Sequence, residues 1–194
     1  MNFIKKRFLN NKDIKPDKSW TLFIDRDGVI NKRIINDYVL DWNHFEFIKG
    51  TLDAFKVFSL VFGKIIVVTN QQGIGKGLMK ESDLSIIHSN MISEIEKNGG
   101  RVDEVFFASQ KKESNHFDRK PNVGMALKAK KKIPQIDFKK SFMVGDSLSD
   151  MEFGHRLGMV NVFVNENRKI VKEHPFLMNY VVSNLEEFSK LLTV

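Results

Sequence analysis

The stretch WTLFIDRDGVIN, Trp20 to Asn31, decides how the rest of the chain is read. Thr21 to Ile24 is an apolar, β-branched run of the kind that forms a core strand. It ends in two aspartates, Asp25 and Asp27, and Gly28 then breaks the chain. Carboxylates are costly to bury unless something pairs with them. A core strand that closes on two acids therefore asks for a cation.

Comparable runs recur along the chain: KIIVVTN (Lys64–Asn70), VDEVFFAS (Val102–Ser109), SFMVGD (Ser141–Asp146), VNVFVN (Val160–Asn165) and YVVSN (Tyr180–Asn184). Between them the pattern predicts helices over about 51–62, 81–98, 123–132, 148–157 and 185–192. In the second of these, Leu84, Ile87, Met91 and Ile95 form a stripe at three- and four-residue steps, and Gly99-Gly100 supplies its stop. Continuous apolar strands alternating with helices imply an α/β protein, a mainly parallel sheet covered on both faces. The intervals from Asp25 to Thr69 and from Thr69 to Lys120 are each filled by a loop, a helix or a strand. Neither has room for a large cap domain, so loops alone should shape the active face.

Composition narrows the class. The 194 residues suit one domain with a sizeable core, and 42% hydrophobic with 28% charged residues is ordinary for a globular protein. No run approaches the roughly 18 apolar residues of a membrane span, and the N-terminus lacks an apolar signal core, so the expected location is cytoplasmic. With no cysteine there is no thiol nucleophile and no thiolate metal site. The net charge of +7 is uneven: residues 1–19 carry six Lys/Arg against two Asp, and residues 110–140 carry ten against three acids. The first block reads as a basic N-terminal arm preceding a single domain over 20–194. The second could draw in an anion.

The strand ends give the chemistry. The first finishes in Asp25, the second in Thr69 and Asn70, the fourth in Asp146. In open parallel sheets ligands sit beyond the carboxyl ends of the strands, where residues distant in sequence converge. Acids meeting there repel one another unless a hard, oxygen-liganded ion such as Mg2+ lies between them.

DRDGVIN, VVTNQQGIGKG, DRKPNVGM and MVGDSLSD, in that order, resemble the four signature motifs of the haloacid-dehalogenase-like (HAD) phosphatase superfamily. DYVLDWNHFEFIKGTLDAF and TNQQGIGKG carry a closer similarity to the heptose-1,7-bisphosphate phosphatases and their histidinol-phosphate phosphatase relatives. The resemblance implies a three-layer Rossmann-like fold and a hydrolase working through an aspartyl-phosphate. Asp25 would be the nucleophile and Asp27 the general acid and base. Mg2+ would be held by the Asp25 side chain, the Asp27 carbonyl and Asp146. Thr69, Asn70 and Gln71 would bind the phosphoryl group, Lys120 would neutralise it, and Arg119 would recognise a second substrate group. Asp150 is either a helix N-terminal acid or support for the metal site. The GIGKG run does not satisfy the P-loop pattern, which argues against nucleotide hydrolysis.

The chain departs from these relatives in three places. Many carry a structural zinc bound by three cysteines and a histidine before the Arg-Lys-Pro motif; here His116 stands alone, so no zinc is expected. The turn KRIIND before Tyr38 is about two residues longer, and Ser147 follows Asp146 where a lysine is common. The expectation is a monomeric, Mg2+-dependent phosphomonoester hydrolase acting on a sugar phosphate, foremost the 7-phosphate of a heptose bisphosphate in lipopolysaccharide precursor synthesis. The alternatives are a histidinol-phosphate phosphatase, a nucleic-acid 3′-end processing domain and a non-catalytic phosphate sensor.

Overall fold

Thr21–Ile24 forms β1, every residue of it buried, at the centre of a six-stranded sheet. The computed structural model describes residues 14–35, 37–165 and 167–192. The other strands are β2 (Lys64–Asn70), β3 (Glu104–Ala108), β4 (Ser141–Gly145), β5 (Val160–Val164) and β6 (Tyr180–Val182). All neighbouring pairs are parallel, in the order β3-β2-β1-β4-β5-β6. The helices are α1 (Thr51–Val61), α2 (Gln72–Gly75), α3 (Glu81–Lys97), α4 (Gly124–Lys132), α5 (Leu148–Leu157), α6 (Arg168–Glu173) and α7 (Leu185–Leu192). The strands and the five long helices match the expectation within a few residues; α2 and α6 are additions to it.

Because side chains alternate along a strand, β1 feeds two cores. Leu22 and Ile24 join Ile65, Val67, Phe142 and Val144 under α1, α3 and α7, while Phe23 joins Ile66, Val68 and Met143 under α4 and α5. The first layer is pinned by Phe142, whose ring lies 5.4 Å from Trp20 and 5.7 Å from both Phe62 and Phe188. Aromatic clusters of this kind add to the stabilisation from burial alone. Most of the basic arm lies outside the described residues. Its described end is tied to the domain: Lys18 Nζ donates to the Ser59 carbonyl at 2.7 Å, and Ile14 packs against the larger core.

The chain runs outward from β1 through β2 to β3, then crosses back to place β4 on the other flank of β1. The carboxyl ends of β1 and β4 therefore meet at the switch point. No large cap covers it among the described residues. The walls are the loop from 25 to 50, bridged at Asn31–Phe47, and the loop from 109 to 123.

Candidate active site

Asp25 directly follows β1, and its N–H donates to the Val144 carbonyl of β4 at 2.9 Å, extending the sheet by one residue. Its side chain is 8% exposed. Burial pushes the carboxyl up to about 6, against the pull of the Lys120 ammonium. Asp146 follows β4 and sits across from it. Burial, with the Asp25 charge beside it, pushes Asp146 up to about 8, while Arg33 pulls the other way. One carboxylate oxygen from each of Asp25, Asp146 and Asp150 lies within 4.8 Å of the others.

Gly28 permits this approach. It adopts φ +88°, and a Cβ there would stand 2.0 Å from Asp146 Oδ2. Both the left-handed backbone and the contact exclude a side chain.

Lys120 is the cation that binds the floor of the site together. Its Nζ lies 2.9 Å from Asp25 Oδ1 and 2.6 Å from Asp150 Oδ1, and donates to the Val68 carbonyl at 2.6 Å. Burial alone would make this ammonium shed its proton. Asp150 and Asp25 outweigh it and hold the pKa above the usual lysine value. The Lys120 backbone is fixed by Asn70, whose side chain accepts from the Lys120 N–H at 3.0 Å and donates to its carbonyl at 3.1 Å. The Asn70 side chain thus places Lys120.

Asp150 is wholly buried in α5. One oxygen faces Lys120; the other accepts from the Ser147 N–H at 3.1 Å and the Ser147 hydroxyl at 2.5 Å. Asp150 thus caps the first turn of α5 and at the same time faces the Lys120 ammonium.

Asp27 is held apart from this trio. Arg26 Nη2 donates to its two oxygens at 2.8 and 2.9 Å, Asn31 Nδ2 donates at 3.0 Å, and Gln71 Nε2 donates at 2.7 Å. Burial would raise the Asp27 pKa, but Arg26 and these hydrogen bonds leave it below the usual carboxylate range. Gln71 also donates to Thr69 Oγ1 at 2.9 Å, linking the ends of β1 and β2. A crevice of about 880 Å³ opens above these groups, with Thr69, Arg119, Lys76, Lys112, Arg33 and Tyr38 among its walls. Arg119 donates to the Gln110 carbonyl at 3.1 Å, and His116 Nδ1 accepts from the Asp118 N–H at 3.2 Å.

Asp25, Asp27, Thr69, Asn70, Gln71, Arg119, Lys120 and Asp150 all line this crevice, and Asp146 joins its floor beside Asp25. Two that were not singled out touch the same acids. Arg26 is fully buried between the two acids, with Nη1 3.3 Å from His88 Nε2 of α3. Arg33 Nη2 donates to the Asp27 carbonyl at 3.0 Å and to Asp146 Oδ1 at 2.8 Å. A charged residue inside a strand-end motif was a usable signal for Arg26, and the lengthened KRIIND turn was one for Arg33.

The oxygen donors fit a divalent ion. Burial holds the Asp25 and Asp146 carboxyls above their usual range, and a guanidinium, that of Arg33, reaches one oxygen of Asp146. Hard oxygen ligands with room for water suit Mg2+.

Known proteins resemble the chain in sequence and fold to differing degrees. The HAD-hydrolase-like family model matches residues 117–188. The chain is 38% identical to the D-glycero-alpha-D-manno-heptose-1,7-bisphosphate 7-phosphatase of Mycobacterium bovis over 71% of this chain and 73% of that one. Identity to the enzyme of the same name from Campylobacter jejuni is 36%, over 78% and 86%. A crystal structure of D,D-heptose 1,7-bisphosphate phosphatase from B. bronchiseptica, complexed with magnesium and phosphate, superposes with a TM-score of 0.81 at 25% identity, covering 89% of this chain and 97% of that one. Motif order, sheet topology and this level of identity agree: the chain belongs to the HAD-like hydrolases, in the family of the heptose-1,7-bisphosphate 7-phosphatases.

Proposed function

We propose that the protein removes the 7-phosphate from a D-glycero-D-manno-heptose 1,7-bisphosphate by way of an aspartyl-phosphate on Asp25. The observation that carries the reading is the meeting of Asp25, Asp146 and Lys120 at the switch point, with Asp27 held beside them. Relatives named for this reaction support the substrate. The alpha-named ones are 36–38% identical and a beta-named one from Pasteurella multocida is 31% identical, which makes the alpha anomer the first to test.

In the first step an Asp25 carboxylate oxygen attacks phosphorus, the bond from phosphorus to the sugar oxygen breaks, and Asp27 gives that oxygen its proton. In the second, water attacks phosphorus, Asp27 takes a proton from the water, and the acyl-phosphate bond to Asp25 breaks to release inorganic phosphate. A dianionic phosphate beside Asp27 raises the proton affinity that Arg26 depresses in the free protein, so substrate itself readies the acid. Lys120 balances the charge on Asp25 and the transferred group, and the Thr69 hydroxyl faces the phosphoryl oxygens. Mg2+, held by Asp25, Asp146 and the Asp27 carbonyl, would neutralise charge at phosphorus. Arg119 on the crevice wall would recognise the second phosphate. A cytoplasmic location and a monomeric state complete the reading; among the described residues no helix is long and apolar enough to cross a membrane.

The test is phosphate release from both heptose bisphosphate anomers, a heptose 7-phosphate, histidinol phosphate and a 3′-phosphorylated oligonucleotide, each with and without Mg2+. The bisphosphate should be preferred and the ion required. Asp25→Asn should lower turnover at least about a thousandfold while circular dichroism stays native. A preference for histidinol phosphate or the oligonucleotide would overturn the substrate, and an active Asp25→Asn would overturn the nucleophile.

A further inference from the structure

One side chain in the site has no role in the chemistry above, yet it holds two of the atoms assigned to the cation. Arg33 Nη2 donates to both the Asp27 carbonyl and Asp146 Oδ1. Among the described residues these are the hydrogen bonds of its guanidinium. The side chain is half-exposed, whereas Asp146 is 12% exposed, so the arginine reaches in from solvent towards a carboxylate that cannot leave. It comes from a stretch, 32–35, with no helix or strand to fix it. Asp146 is flanked by Asp25 and Asp150, and the Arg33 guanidinium is the positive group hydrogen-bonded to it. A divalent ion held by the same two groups would compete with the guanidinium for their oxygens and repel its charge.

We propose that Arg33 is a built-in counter-ion for the cation site: it pairs with Asp146 and the Asp27 carbonyl when no metal is present and is displaced when Mg2+ binds. The inference rests on the cation reading above. Two consequences follow from the geometry. Magnesium affinity is set partly by competition with a residue of the chain itself. Once displaced, the guanidinium remains on the crevice wall as one more positive group facing an anionic substrate.

The experiment is calorimetric titration of Mg2+ into the EDTA-treated full chain. Arg33→Ala should bind Mg2+ roughly two- to fivefold more tightly than wild type, the size expected for losing a half-exposed ion pair as competitor. Its melting temperature should also rise more when Mg2+ is added. Lys32→Ala removes an equal charge one residue away, from a side chain paired with Glu46 on the surface, and should leave the affinity unchanged. Asp146→Asn should lose the binding. Unchanged or weaker binding by Arg33→Ala overturns the proposal. So does equal tightening by Lys32→Ala, which would point to the general field around the site. If Asp146→Asn binds Mg2+ like wild type, the cation site itself is wrong, whatever Arg33→Ala shows.

Discussion

Lys120 shows how one side chain can be structural and functional at once. The residue is 2% exposed, and its ammonium touches two buried carboxylates and a carbonyl. Such a charge persists in a protein interior only because its partners outweigh the loss of water. Removing it leaves Asp25 and Asp150 facing each other with no cation between them. Lys120→Met should therefore cost about 3–5 kcal/mol, measured by urea unfolding at neutral pH, beyond its effect on turnover. Lys120→Met combined with Asp150→Asn should recover part of that stability without recovering activity. A Lys120→Met protein as stable as wild type would show that the ammonium serves substrate alone. The sequence reading found Asp25, Asp27 and Asp146 because they stand just beyond strand ends, and Lys120 only through the resemblance of the DRKPNVGM run, which lies in the loop before α4. It gave the Asn70 amide a phosphoryl contact and did not foresee that the Asn70 side chain holds the Lys120 peptide. That pairing spans 50 positions, and nothing local in either segment records it.

At the level of elements, the strands were legible because a parallel sheet covered on both faces demands apolar residues on both sides of every central strand. The long helices were legible from their stripes. The missing pieces have physical reasons: α2 is a four-residue turn containing two glycines, and α6 is a polar stretch begun by the Asn167 side chain rather than by hydrophobic period. The contact between α3 and the β1 loop was equally hidden, since it consists of one histidine against one arginine. His88 is 7% exposed and accepts from Arg26, and burial, with the Arg26 charge, pushes its pKa down to about 3. Below pH 6.5 the unfolded chain gains a proton at this residue while the folded chain does not until far lower pH. The stabilisation is therefore complete above 6.5 and is lost as pH falls, by up to about 1.4 kcal/mol per pH unit. Asp25 and Asp146, with raised values, act in the opposite sense over the same range. The His88 contribution is accordingly read as a difference: between pH 7 and 5, wild type should lose roughly 2 kcal/mol more than His88→Gln. Parallel stability curves for the two proteins would remove His88 from the account.

At the scale of the molecule, with no large cap among the described residues, the charge pattern is left to gather substrate. The chain carries a net +7, and the crevice walls include Arg33, Lys76, Lys112 and Arg119 above a floor of acids neutralised by Lys120. The basic density of residues 110–140 was visible in the sequence. Its convergence with Arg33 and Lys76 was not, because it depends on two loops meeting across the switch point. Such a rim steers anions during encounter, and its reach shrinks from about 30 Å at 0.01 M salt to about 10 Å at 0.1 M. A bisphosphate has charge at both ends and should feel this field more strongly than a monophosphate of the same sugar. At constant Mg2+, raising the ionic strength over that range should lower kcat/KM for the bisphosphate several-fold, and for the 7-phosphate less, with kcat nearly constant for both. Lys76→Ala with Lys112→Ala removes two rim charges that touch no carboxylate of the floor. This double variant should flatten the salt dependence for the bisphosphate and bring the two substrates closer together. Equal salt slopes for the two substrates in wild type would mean that the rim does not read the second phosphate, and recognition would then rest on short-range contacts such as Arg119 alone.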